Sequence, residues 1–296
     1  MRKSVKLAIL LISVPIILLA GAASWIAFSP GSTDYGVFLK MREYQIGTLN
    51  MYGAEEKGIN RYFENYKLDL PFLYKVMFKA DNLSLFLRSY RTEKIDTASI
   101  NQLEIGNGTD DFFDFTFMIR PDYRYNAPLF HGDALKALPG VTSALYMDFY
   151  SLNDGVDTEQ FFSESQDKIL RAIELAQPYW KREGFGELTP HLDPYKSPYR
   201  LEMIEPEKGT EEERKEYFDT VYSCFVLYSE AYLESLERMS GEENLSEAPM
   251  REREVKDFVS ILYEKDMAVK MGKMIFPEED FDRYFLDGFW GTGPLE

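Results

Sequence analysis

The sequence predicts an α+β domain with a largely antiparallel sheet. Two observations support this prediction. Apolar segments with strand character follow one another in the first half of the chain, and helical patterns fill most of the second half. Strands grouped ahead of helices are typical of α+β folds. A doubly wound nucleotide fold would alternate the two and requires a glycine-rich phosphate loop, which the sequence lacks.

The first half is predicted to contain one helical segment and then five strands. Residues 55–66 have helical character. The strand segments that follow are bounded by turn residues and cover 72–79, 83–90, 95–105, 112–120 and 142–151. The segment 112–119 gives the clearest strand pattern, because aromatic and aliphatic residues dominate it.

The second half is predicted to be helical around one further strand. Asp157 caps a helix that runs to about residue 180, and residues 201–204 form the strand. Thr210 and Glu213 have the spacing of a capping box, which opens a helix to about residue 239. Residues 249–275 form a continuous helix, and a last helix starts at Pro277 and runs to about 286.

The N-terminal segment 1–28 predicts a membrane anchor or a signal sequence. Residues 7–28 are 22 residues without a charge, and three basic residues precede them. The length favours a retained anchor, whereas the small residues Ala20 and Ala22 favour a cleaved signal. The basic tail predicts that the N-terminus faces the cytoplasm and the domain does not. Residues 29–34 are a linker, and 35–296 form one domain.

Composition excludes several classes of function. A formal charge of −17 without a basic aromatic stretch argues against nucleic acid as a partner. The single cysteine excludes an intrachain disulfide and a cysteine-built metal site, and two histidines exclude a three-histidine centre.

Asp266 is unusual within the predicted helix 249–275. Helical geometry places its carboxylate on the apolar face, where a short side chain does not reach water easily. Because an unpaired buried carboxylate is costly, we expect it to be paired with a lysine or arginine, to be protonated, or to face a cavity.

His131 and Asp133 lie two residues apart beside a predicted strand end. Both can transfer protons near neutral pH if an apolar pocket raises the pKa of the carboxyl. The alternative is that Asp133 caps a turn or short helix and His131 lies in a surface loop. His191 lies between two prolines and is predicted to be structural or exposed.

Two segments resemble the ferredoxin-dependent bilin reductases. The first contains FMIRPDY at 117–123, APLFHGDAL at 127–135 and the strand ALYMDF at 144–149. The second contains YEKD at 263–266, Phe276 ten residues after Asp266, and an aromatic tail with Tyr284 and Trp290. Their order and spacing are similar to those of the family.

The resemblance implies a three-layer α/β/α sandwich with a central antiparallel sheet. It further implies that a linear tetrapyrrole binds between the sheet and the C-terminal helices. Asp133 falls on the family's catalytic aspartate, and Asp266 falls on its late-helix carboxylate. The implied chemistry uses no bound cofactor: electrons arrive singly from reduced ferredoxin or another one-electron donor, and side chains supply protons.

The candidate site therefore has two groups of residues. Asp133, Asp266 and His131 are candidate catalytic residues, and Arg120, Lys265, Phe130 and Asp148 are candidate substrate-binding residues. The family's histidine on the preceding strand has no counterpart in the segment 97–101. Two other functions stay open on the sequence: a non-catalytic tetrapyrrole or lipid binder at the membrane, and an interaction protein with a solid core.

Overall fold

A computed structural model gives the architecture of the domain. It describes residues 35–64, 66–72, 74–75, 80–105, 112–136, 143–152, 156–180, 190–206, 209–239 and 242–294. The core element is an eight-stranded sheet in which all pairs are antiparallel. Its strands are β1 (Glu55–Glu56), β2 (Tyr66–Asp69), β3 (Asn82–Arg91), β4 (Ile95–Ile105), β5 (Phe112–Pro121), β6 (Leu129–Lys136), β7 (Ala144–Tyr150) and β8 (Leu201–Ile204). Strands β3 to β8 are neighbours in chain order, and β1 and β2 both pair with β3.

The α-helices lie mainly at the start and in the second half of the chain. They are α1 (Tyr35–Met51), α2 (Thr158–Phe161), α3 (Gln166–Ala176), α4 (Glu211–Arg238), α5 (Ala248–Lys265), α6 (Met267–Ile275) and α7 (Glu278–Asp282). A π-helical segment, Arg283–Trp290, follows α7 directly. Short 3-10 helices cover Gly58–Arg61, Gln177–Tyr179, Pro190–Tyr195 and Glu242–Glu247.

Helices cover both faces of the sheet. Because side chains alternate along a strand, each long strand contributes to two separate cores. On the first face, α1, α3 and α4 pack against apolar strand residues such as Phe115, Phe117 and Phe149. On the second face, α5, α6, α7 and the π-helical segment pack against residues such as Leu85, Met118 and Tyr150.

The first face is tightly filled with aromatic rings. Phe117 packs edge-to-face on Phe225 of α4 at 5.0 Å between ring centroids, and Phe38 of α1 stacks on Phe113 at 4.7 Å. Gly132 permits this packing, since a Cβ there would lie 2.2 Å from the Phe117 ring. The first face therefore forms a solid core.

The structure confirms the α+β class and the antiparallel sheet, and it corrects several elements. Residues 55–66 contain β1 and a 3-10 turn instead of a helix, and residues 72, 74 and 75 are helical instead of extended. Residues 129–136 form a full strand between β5 and β7, where no strand was predicted. The continuous helix over 249–275 is wrong, because the chain breaks at Asp266.

The apolar segment 7–28, predicted as a membrane anchor or signal, lies outside the described residues. Within the part of the chain that the structure does describe, no helix has both the length and the apolar character needed to cross a bilayer.

Candidate active site

The second face of the sheet carries polar residues in its centre, below the C-terminal helices. Strand register aligns them in two adjacent rows across β4 to β7. One row is Asn101, Thr116, Asp133 and Tyr146, and the next is Ser99, Met118, His131 and Asp148. A sheet face that is covered by helices normally carries apolar side chains. This polar patch is therefore the part of the core that packing alone does not explain.

Asp133 forms a carboxyl pair with Asp114 of the neighbouring strand. Asp114 lies diagonally across from Asp133, and the two side chains hydrogen-bond to each other. Thr116 Oγ1 donates to Asp114 Oδ1 at 2.7 Å, which fixes that side of the pair. Burial, together with the charge and hydrogen bond of Asp114, raises the pKa of Asp133 well above its usual value. Within the pair, Asp133 is thus the carboxyl that holds a proton more readily.

We infer a recess at these side chains from the way in which they are buried. Burial dominates the pKa shifts of Asp114, His131 and Asp133, so protein surrounds each group. All three nevertheless keep part of their surface accessible and are half-buried, as is Thr116. Because protein surrounds these side chains while solvent still reaches part of their surface, they border an opening between the sheet and the helices above it.

Several enclosed polar atoms around the recess have no hydrogen-bond partner among the described residues. They are Ser99 Oγ, both amide atoms of Asn101, His131 Nδ1, Asp133 Oδ1, His191 Nε2 and Trp290 Nε1. Most buried polar groups in folded proteins are hydrogen-bonded. A cluster of donors and acceptors on one side of the sheet is typical of a site that binds a polar ligand.

His131 lies between two aromatic rings. Its imidazole is nearly parallel to Trp290, at 6.3 Å between centroids and 11° between planes, and it stacks on Tyr150 at 5.8 Å. Trp290 reaches this position because the π-helical segment turns its aromatic residues onto the sheet. Such wide turns occur frequently at functional sites. Burial lowers the pKa of His131 to about 4, so the imidazole is neutral at physiological pH.

Asp148 lies opposite His131 in register but belongs to a closed hydrogen-bond network. Its Oδ1 accepts from Ser197 Oγ at 2.6 Å, and its Oδ2 accepts from Tyr146 OH at 3.0 Å. Tyr150 OH donates in turn to Tyr146 OH at 3.1 Å. Burial raises the pKa of Asp148 to about 6, although these hydrogen bonds act against the increase. The network fixes the two tyrosine rings that border His131.

Asp266 is the N-cap of α6 and reaches the same region. Its Oδ1 accepts from the backbone N–H groups of Ala268 at 2.7 Å and Val269 at 3.3 Å. Its charge contributes to the raised pKa values of Asp114 and Asp133. The expected lysine or arginine salt bridge is replaced by a cap, because the helix breaks where the carboxylate can accept backbone hydrogen bonds.

His191 also lies beside Asp266, which the sequence did not indicate. The 3-10 turn Pro190–Tyr195 brings its Nε2 to 3.8 Å from Asp266 Oδ2. The structure therefore brings together Asp133, His131 and Asp266 from the predicted set, with Asp148 beneath them.

Two predicted residues are not brought to the recess, and a third lies beside it. Phe130 points to the opposite face, where it packs on Phe117, since neighbours in a strand alternate. Arg120 lies on the recess face two residues beyond Met118, the register partner of His131, but its guanidinium is held by Asp96, Tyr123, Thr97 and the Gly291 carbonyl. Lys265 is exposed at the end of α5, beside Asp266.

The arrangement suits proton transfer to a ligand that lies against the sheet. It provides a half-buried carboxyl with a raised pKa, a neutral imidazole and a second carboxyl group on the helix above. Within the ranges that the structure describes, no group of three or more His, Cys, Asp or Glu side chains is arranged to hold a metal ion.

Comparison with known proteins gives a structural neighbour. No family model matches the chain, and no curated protein matches it in sequence. The fold is similar to that of selenomethionine-labelled phytochromobilin synthase from tomato, solved in complex with biliverdin, with a TM-score of 0.64 and 15% sequence identity. The match covers 86% of this chain and 83% of the tomato chain. At 15% sequence identity, this similarity shows that the two proteins share a fold.

Proposed function

We propose that the protein is an oxidoreductase that reduces a linear tetrapyrrole, or a related planar substrate, in single-electron steps. The observation that carries this proposal is the enclosed Asp133–Asp114 carboxyl pair at the floor of a recess with unpartnered polar atoms. The tomato protein of similar fold was solved with biliverdin, a linear tetrapyrrole, which supports this class of substrate.

Asp133 is the proposed proton donor. A general acid must hold its proton at the working pH, and the raised pKa of Asp133 supports this role. The carboxyl gives its proton to the substrate after an electron has been added, and the resulting carboxylate is then reprotonated. One complete reduction adds two electrons and two protons to the substrate, and no group leaves.

Asp266 and His131 have supporting roles in this proposal. Asp266 lies above the carboxyl pair on α6 and is the candidate second acid or a group that places the substrate. His131 is neutral and enclosed by rings, so its imidazole supplies hydrogen bonds without a positive charge. Electrons come from an external one-electron donor on the same side of the membrane as the domain, reduced ferredoxin or another protein, so that no resident cofactor is required.

An anaerobic reduction assay tests this function. The full chain is mixed with biliverdin and a ferredoxin reducing system, and the visible spectrum and the mass of the pigment are followed. We expect a bound spectrum that changes on reduction and a product heavier by two hydrogens. Asp133→Asn keeps the shape of the side chain but cannot donate the acid proton, so we expect binding without product and an accumulated radical in electron paramagnetic resonance.

Asp69→Asn is a suitable control, because Asp69 is an exposed carboxylate whose side chain is 81% accessible. It should turn over as the wild type does. Unchanged turnover in Asp133→Asn would exclude the proposed donor. A bound spectrum that does not respond to the reductant in the wild type would favour a non-catalytic tetrapyrrole binder.

The place of this reaction is proposed to be the membrane. The uncharged segment 7–28 is long enough to span a bilayer, and the basic residues before it favour a cytoplasmic N-terminus. If the segment is a retained anchor, the full chain stays in the membrane fraction after carbonate extraction. Release into the supernatant, with loss of the first residues, would identify a cleaved signal.

A further inference from the structure

Helix α6 exposes an apolar face that the domain does not cover. Met267, Met271 and Met274 are 61%, 36% and 61% exposed. Their spacing places them on one side of the helix, opposite the buried Val269. Exposed large apolar side chains that cluster on one helix face are typical of an interaction surface.

A further exposed apolar residue, Phe72, lies at one end of the sheet. Phe72, which is 81% exposed, follows β2 by three residues. The last residue of β2, Asp69, pairs with Asn82 at the start of β3, and the neighbouring Leu83 pairs with Ile105 at the end of β4. Phe72 therefore lies beyond the end of the sheet at which β3 and β5 begin.

Helix α6 crosses the sheet at this end. Asp266, at its start, lies near Asp114, and Phe276, after its end, stacks on Tyr66 at 6.1 Å with an angle of 13°. One cross-strand row connects these two points: it is formed by Tyr66, Leu85, Leu103 and Asp114. Nine helical residues span about 14 Å, which matches the distance from β2 to β5.

The described chain also begins at this end. Phe38, in the first turn of α1, stacks on Phe113 at the start of β5. Only the six linker residues 29–34 separate the described chain from the uncharged segment 7–28. An extended linker of that length spans about 20 Å. A membrane-inserted segment 7–28 would thus hold this end of the domain close to the bilayer.

We propose that Met267, Met271 and Met274 of α6, together with Phe72, form a surface that docks onto the lipid bilayer. Lys270 borders this methionine face, although the chain as a whole is strongly acidic. An apolar helix face with a basic residue beside it is typical of helices that lie in the membrane interface. The proposal rests on the proposed anchor for its geometry and is independent of the proposed reductase activity.

Docking through this surface would bring the bilayer close to the recess. Asp266 caps α6 and lies beside the carboxyl pair. The bilayer would therefore lie next to the edge of the candidate active site, and a planar substrate that partitions into the bilayer would reach the site from the lipid.

Quenching by brominated lipids tests the docking surface. The full chain is reconstituted with vesicles of phosphatidylcholine and phosphatidylglycerol, and Met271→Cys carries an environment-sensitive dye. The native Cys224 is buried, so the unlabelled wild type controls for background labelling. The matched control is Leu170→Cys on α3, which is 52% exposed on a helix of the opposite face.

We expect brominated lipid to quench the dye at 271 several-fold more strongly than the dye at 170. Serine at positions 267 and 274, with the dye kept at 271, should reduce the quenching toward the control. Equal quenching at 271 and 170, or a full chain that does not associate with vesicles, would contradict the proposal. A dye at 271 that is already shielded without lipid and does not respond to it would indicate another part of the chain or a second copy, and would also contradict it. None of these outcomes depends on bilin reduction, which the pigment assay measures separately.

Discussion

At position 131 the imidazole is enclosed by aromatic rings, and burial lowers its pKa to about 4. The chain has only two histidines, so a nuclear magnetic resonance titration of the labelled imidazoles is simple to assign. We expect one resonance to titrate near pH 4 and to disappear in His131→Gln. Because the folded pKa lies below the ordinary value of about 6.5, this group lowers stability as the pH falls from about 6.5 to about 4. A midpoint above 6 for this resonance would contradict the described environment.

Asp133 makes the stability of the protein depend on pH in the opposite direction to His131. Its pKa is raised in the folded protein, so its contribution to stability is complete below the unfolded value near 4 and decreases as the pH rises toward the folded value. Asp133→Asn removes this dependence while keeping a similar shape. We expect the variant to gain stability relative to the wild type as the pH rises above the unfolded value, with a limiting slope of about 1.4 kcal/mol per pH unit. Urea unfolding at several pH values measures this difference.

Asp69→Asn again provides the control, because the exposed side chain makes no contact with the recess. Its unfolding free energy should follow that of the wild type at every pH. If the difference between Asp133→Asn and the wild type stayed constant with pH, the folded protein would not hold a proton on Asp133.

Individual site residues were only partly predictable from the sequence. Asp133 was a candidate from its spacing to His131, Asp266 from its place on an apolar helix face, and both again from the resemblance; the structure places both at the recess. Asp114 was missed, although the alternation of aromatic and polar residues along 113–117 shows that Asp114 and Thr116 share one face of the strand. Phe130 was a candidate from the segment 127–135 that resembles the family, but in a strand Phe130 and His131 point to opposite faces.

At the scale of the elements, the break between α5 and α6 depends on Asp266. Asp266→Ala removes the cap of α6 and should lower the free energy of unfolding by about 1 kcal/mol. Asp266→Asn should keep the stability close to that of the wild type, since asparagine caps helices as well as aspartate does. Thermal and urea unfolding of the two variants distinguish the contribution of the helix cap to the free energy of unfolding from that of the negative charge.

The effect of the Asp266 charge can be measured separately from its role as the cap of α6. Because Asp266 contributes to the raised pKa of Asp133, Asp266→Asn should move any pH profile that reports the proton of Asp133 to lower pH. A profile that does not move in Asp266→Asn would mean that the two carboxyl groups do not interact. A stability loss as large as that of Asp266→Ala would mean that the side chain does more than cap the helix.

Most elements follow from local patterns, and the exceptions have physical causes. The capping box at Thr210 and Glu213 forms as predicted, because both reciprocal hydrogen bonds are local. Strand β6 was missed because His131, Gly132 and Asp133 together are typical of a turn. They lie in a strand because tertiary contacts outweigh local preference: Gly132 accommodates the ring of Phe117, while the two polar side chains face the recess.

For the molecule as a whole, the two faces of the sheet have different roles. One face packs against α1, α3 and α4 into an aromatic core, and the other holds polar groups below the C-terminal helices. The order of strands and helices predicted the α+β class, because it reflects layer architecture. Which face carries the recess depends on the register of β4 to β7, and long-range pairing of this kind is not encoded in any local pattern.

The proposed function requires that the recess on the second face bind a linear tetrapyrrole. An absorbance titration of the full chain with biliverdin tests it most directly, using Thr116→Phe to fill the recess and Leu170→Phe on the opposite side as the control, with circular dichroism to verify folding. We expect the wild type and Leu170→Phe to bind one equivalent with a changed visible band, and folded Thr116→Phe to lose that binding. A wild type that does not bind biliverdin, or a folded Thr116→Phe that binds it as the wild type does, would contradict the claim.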